Sequence, residues 1–115
     1  MSFEDLDVWK RAVKLSCETY KHTFGLKDFG FRDQLTRSAL SIPSNIAEGC
    51  ERRSPREIAQ FLTIAKGSAG EFRTQVYIGM EVGFIALATG EIWLDEAKQI
   101  GNILGALIRK YRNEQ

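Results

Sequence analysis

Apolar residues recur along almost the whole chain at intervals of three and four, and no stretch alternates as a strand would. Leu6, Trp9, Val13, Cys17, Tyr20 and Phe24 predict a first helix over about 3–24, entered through Ser2 and Asp5 and closed by Gly25. Phe31, Leu35, Ala39, Ile42 and Ile46 predict a second over about 31–48. Pro43 interrupts it, leaves the Ala39 carbonyl without its usual partner and predicts a kink, eased by Ser41, Ser44 and Asn45. A third helix is predicted over 55–87, with Ile58, Phe61, Leu62, Ala65, Ala69, Phe72, Val76 and Met80 as its core stripe. The fourth is predicted over 91–113, opened by Thr89-Gly90 and carrying Leu94, Ala97, Gly101, Leu104, Ile108 and Tyr111.

The second and third helices meet at a strongly signalled joint. Gly49 suits a left-handed position past a helix end, Ser54 an N-cap, Pro55 the first helical position, and Glu57 completes a capping box. Four helices with short connections predict one domain, an all-α antiparallel up-down four-helix bundle. Gly67, Gly70, Gly79 and Gly83 predict close helix approach, or a bend or break near Gly79.

A monomeric bundle needs one apolar stripe per helix, and helices two to four each carry a second stripe that is apolar or small-polar. One joins Gln34, Ser38, Ser41, Asn45 and Glu48; another joins Ile64, Ser68, Glu71, Gln75, Ile78 and Val82; Ile92, Ile103 and Ala106 extend the fourth helix. Such surface predicts a homo-oligomer.

Charge narrows the picture little: 16 basic and 15 acidic residues in 115 give +1, which excludes a broadly basic coat but not a local patch. No apolar run approaches a membrane span and the acidic start lacks a signal-peptide core, so a cytoplasmic protein is expected. Cys17 and Cys50 lack metal spacing and read as free thiols, Cys17 in the core and Cys50 as a plain junction thiol before one whose pKa the neighbouring arginines lower. His22 stands alone, so no metal site or catalytic triad is expected. Trp93 and Tyr77 read as packing residues before base-stacking ones.

Two constellations carry candidate chemistry. Arg52, Arg53 and Arg56 flank a helix N-terminus and would attract phosphate backbone, with Arg37 and Lys66 as outlying contributors. The competing reading is a solvated loop, or ion pairs with Glu48, Glu51 and Glu57. The polar positions Gln34, Ser41, Asn45, Glu48, Ser68, Glu71 and Gln75 read as a hydrogen-bonded subunit seam, or as a pocket with Glu48 or Glu71 as acid or base. No nucleophile, ligand set or cofactor loop accompanies them, so a non-enzymatic protein without cofactor is expected.

The segments Asp5-Leu6-Asp7-Val8-Trp9-Lys10-Arg11-Ala12, Asp33 to Ala39, Ser41-Ile42-Pro43-Ser44-Asn45-Ile46-Ala47-Glu48-Gly49 and Phe61 to Ser68 carry a resemblance. The chain resembles the bacterial four-helix-bundle proteins encoded within intervening sequences of 23S ribosomal RNA genes. It departs from their pattern at Phe24-Gly25, where a Phe-Pro pair is usual, and at Lys66, where Arg is usual. The resemblance implies a pentameric ring, similar in shape to a retroelement accessory protein that binds nucleic acid and a reverse transcriptase. The function expected is therefore binding of RNA or DNA backbone by a homo-oligomer. The alternative is a scaffold that docks a partner protein.

Overall fold

A computed structural model describes residues 2–114. Among them are four α-helices and no strand: α1 (Asp7–Thr23), α2 (Phe29–Cys50), α3 (Pro55–Glu81) and α4 (Leu87–Asn113). Each packs on the next in sequence and α1 also touches α4, so the four enclose one core in a body of 45 × 21 × 18 Å. Ser38 bonds Gln75 while Ser41 bonds Ser68, so α2 and α3 are antiparallel. Phe72 meets Trp93 while Lys66 lies over Gly105, so α3 and α4 are antiparallel as well.

The core stripes of α2 and α3 follow the sequence pattern closely, and that of α4 departs from it: Leu94, Gly101 and Tyr111 are only half-buried. Leu35, Ala39, Ile42 and Ile46 are fully buried, as are Leu62, Ala65, Ala69, Phe72 and Val76. On α4 the buried row is Trp93, Ala97, Ile100, Leu104 and Ile108, with Trp93 the largest side chain in the core.

Helix α1 corrects the sequence reading. Its buried face is Val8, Ala12, Leu15, Ser16, Thr19 and Thr23, whereas Cys17, Tyr20 and Phe24 are exposed. The reason is local. The Thr19 hydroxyl donates to the Leu15 carbonyl at 2.8 Å and the Thr23 hydroxyl to the Thr19 carbonyl at 2.7 Å. A threonine satisfied within its own helix presents a methyl group to its neighbours and can be buried cheaply. The start of this region also differs. Phe3–Asp5 is a single 3₁₀ turn, and Leu6 is extended before α1 begins. Phe3 packs edge-on against Trp9 with ring centroids 5.2 Å apart, which holds the turn against the helix.

Helix boundaries shift for equally physical reasons. Asp28 caps α2 by accepting the Phe31 N–H at 3.0 Å, so the helix starts at Phe29. It runs through Pro43 to Cys50, which puts Gly49 inside the helix rather than in a left-handed cap. A methyl at Gly49 would lie 3.1 Å from the Phe61 Cβ, so glycine serves the close approach of α2 and α3. Near Pro43, Asn45 donates its side-chain amide to the Ser41 carbonyl, not to that of Ala39.

Helix α3 ends at Glu81, short of the expected 87, and the break falls at Gly83 rather than Gly79. Gly83 has φ +82°; its N–H donates to Met80 O and that of Phe84 to Gly79 O, which together make a Schellman motif. Helix α4 then begins at Leu87, and Gly90 is buried within it against Met80 instead of opening it.

Candidate functional site

The α2–α3 joint is built as the sequence predicts at its second half. Ser54 accepts the Glu57 N–H at 3.1 Å and donates its hydroxyl to the Glu57 carboxylate, and Pro55 begins α3. This geometry occupies Glu57 with a capping role.

The arginines of the joint have different surroundings. Arg52 is held down: it pairs with Glu48 one helical turn back, its guanidinium lies 4.8 Å from the Phe61 ring centroid, and its buried Nε has no partner. Arg53 and Arg56 are exposed, and no carboxylate lies within ion-pair distance of either among the described residues. Of the three neighbouring carboxylates, Glu48 pairs with Arg52 and Glu57 bonds Ser54, while Glu51 is exposed and lies outside ion-pair distance of both.

Tertiary structure adds cations that the sequence reading did not select. Arg112, at the end of α4, lines a shallow hollow of about 680 Å³ with Arg56, Gln60, Thr63 and Ile64 of α3. Farther along the same pair of helices, Lys66 Nζ and an Arg109 Nη1 both stand over Gly105, 3.2 and 3.6 Å from where its Cβ would be. Antiparallel packing causes this meeting, because it brings the C-terminal turns of α4 beside the N-terminal half of α3. The only signal in the sequence was the basic end of α4, which reads as an ordinary match to the helix dipole. Arg37 is elsewhere. It sits on the outer side of α2 beside Tyr20, Asp33 and Leu40, about fifteen residues and roughly 20 Å along the helix from Arg52.

The polar seam is an internal contact of one chain. Ser38 Oγ bonds Gln75 Oε1 at 2.6 Å, Ser41 and Ser68 share a bond of 2.7 Å, and Asn45 bonds Ser41. Ser38 is buried, and Ser41, Asn45, Ser68 and Gln75 are half-buried between α2 and α3. Gln34 and Glu71 are exposed on the outer side of this seam. Glu48 lies about two turns beyond Ser41 and pairs with Arg52, so it and Glu71 do not form one carboxylate site.

The neighbouring arginines do not activate the thiol at the joint: burial, and then the charge of Glu51, push the Cys50 thiol up. Another pair has no sequence signal at all. Arg11 forks onto Glu96 with bonds of 2.9 and 2.5 Å, joining α1 to α4. The bond from Arg11 holds the Glu96 carboxyl below the usual carboxylate range. Among the described residues no cluster of His, Cys, Asp and Glu could hold a metal ion, and no helix is long and apolar enough to cross a membrane.

Apolar surface remains outside the core. Val13, Cys17, Tyr20, Leu40 and Pro43 line a groove of about 390 Å³ between α1 and α2. On the other side Ile64, Ile78, Val82, Leu87 and Ile92 are each at least 50% exposed.

No curated protein matches the sequence. Among solved structures, a protein of unknown function from the S23 ribosomal protein family of Bacteroides thetaiotaomicron is similar, with a TM-score of 0.83 and 23% identity. The alignment covers 88% of this chain and 97% of that one, and shows a shared fold. The family model for the 23S rRNA-intervening sequence protein matches residues 4–106, which is most of the chain. The protein therefore belongs to the 23S rRNA-intervening sequence protein family.

Proposed function

We propose that this protein is a non-enzymatic, cytoplasmic, self-assembling bundle that holds RNA or DNA by its phosphate backbone. The observation that carries the reading is the group Arg53, Arg56 and Arg112 at one end of the molecule, without an acidic partner among the described residues. Exposed cations that pair with no carboxylate form a surface suited to a polyanion.

Self-assembly rests on the groove at Val13, Cys17, Tyr20, Leu40 and Pro43 and on the exposed row Ile64, Ile78 and Val82, since contiguous apolar patches of this kind mark association surfaces. In a pentameric ring the basic end would repeat five-fold and become a collar. Light scattering with and without a mixed oligonucleotide, at low and high salt, tests both parts. The expected result is an oligomer that gains mass with nucleic acid at low salt and loses it at high salt, and that binds far less as Arg53→Ala/Arg56→Ala. Absent or salt-insensitive binding overturns the nucleic-acid reading, and a clean monomer overturns the assembly.

The second reading is a scaffold that docks a partner protein. The net charge of +1 and the apolar α1–α2 groove favour it. It predicts one specific protein partner and no affinity for nucleic acid.

A further inference from the structure

The cations of α3 and α4 form a line, and the line has a shape. It begins at Arg56 and Arg112 in their shared hollow. It continues about 15 Å along α3 to Lys66, which meets Arg109 over Gly105. Two turns farther stands Arg73, whose buried Nε has no hydrogen-bond partner. Two like charges with tips within 4 Å of one point, and no carboxylate paired to either among the described residues, make an arrangement that an anion would relieve. Glu57 bonds Ser54 at the start of α3 and Glu96 binds Arg11 on the α1 side, so neither reaches this pair. Gly70 and Gly101 have open space where a side chain would be, which keeps this face low.

We infer that the groove between α3 and α4 seats a single-stranded nucleic acid, with Lys66 and Arg109 converging on one phosphodiester over Gly105. This rests on the nucleic-acid reading above and moves its centre from the α2–α3 joint to the α3–α4 face. Shape selects the single strand. Two packed helices lie about 8–10 Å apart, and each is about 10–12 Å across with its side chains, so the pair is too broad for a duplex major groove about 12 Å wide. A duplex could touch the pair only at its outer edge, whereas one sugar-phosphate backbone follows the furrow between them.

Fluorescence anisotropy with the full chain tests this, using a labelled oligouridine of about 20 nucleotides and a duplex of the same length, at about 50 and 200 mM salt. Lys66→Gln/Arg109→Gln should weaken oligouridine binding about tenfold or more at the lower salt and reduce the slope of log K against log salt by about 1.4. Both residues are exposed, and circular dichroism confirms that the variant is folded. The duplex should bind more weakly than the single strand. Unchanged oligouridine affinity in this variant, with loss only in Arg53→Ala at the α2–α3 joint, overturns the groove and leaves the broader reading standing. Equal or tighter duplex binding overturns the single strand. No binding of either probe overturns both.

Discussion

Replacing Gly79 and Gly67 by alanine separates two uses of glycine in one helix. Both lie inside α3, so each substitution gains the same intrinsic helix preference, about 1 kcal/mol. At Gly67 nothing lies within 4 Å of the new methyl group, and the gain should be kept. At Gly79 the methyl would meet Ile85 at 2.6 and 2.9 Å and the Phe31 ring at 2.9 Å. Neither neighbour retreats easily. Ile85 is buried and its N–H is bonded to the Gly79 carbonyl, while Phe31 stacks edge-on against Phe84 with centroids 5.4 Å apart. Overpacking a tight contact costs about 1–3 kcal/mol. The helix term cancels between the variants, so Gly67→Ala should exceed Gly79→Ala in stability by about 1–3 kcal/mol. Urea titration followed by helical circular dichroism, at one fixed protein concentration, measures the difference. A Gly79→Ala protein as stable as Gly67→Ala would refute the close approach at the α3–α4 turn.

Removing the Ser54 cap as Ser54→Ala should cost about 1 kcal/mol in the same titration, because the Glu57 N–H loses its acceptor. The Arg11–Glu96 fork should make stability fall in acid. Glu96 has a lowered pKa in the folded protein, so its contribution is complete above the ordinary glutamate value, about 4.3, and is lost as pH falls through the folded value. Glu96→Gln should flatten that part of the pH–stability curve, with a change of no more than about 1 kcal/mol at neutral pH because the pair is partly exposed.

The core stripes of α2 and α3 were legible because their buried positions are filled by Leu, Ile, Val, Ala and Phe at helical spacing, as in Leu35, Ala39, Ile42 and Ile46, and that of α4 was legible only in part, at Ala97, Leu104 and Ile108. Helix α1 was not, since its pattern offers two stripes. Large side chains mark one, and the smaller Val8, Ala12, Leu15 and Thr19 mark the other. Periodicity gives the spacing of a stripe but not which of two competitors faces inward. The helix ends were legible at Ser54-Pro55, where the cap is local chemistry. They were not at Gly49 or Gly90, where the glycine serves a neighbour distant in sequence. In the candidate site, the exposure of Arg53 and Arg56 agrees with a basic joint, but the loss of Arg52 to Glu48 and Phe61 depends on how its guanidinium folds back.

The sequence by itself determined that this chain forms four helices, where the Ser54 cap lies and which face of α2 and α3 is apolar. These depend on interactions within a few residues, so local order is enough to specify them. The tertiary structure alone decided that α1 buries its threonine face, that the serines of α2 and α3 bond each other, and that Lys66 and Arg109 meet over Gly105. Each of these joins residues far apart in the chain. Their proximity follows from how the helices dock, because long-range contacts are set by the packing of whole faces and not by any one segment.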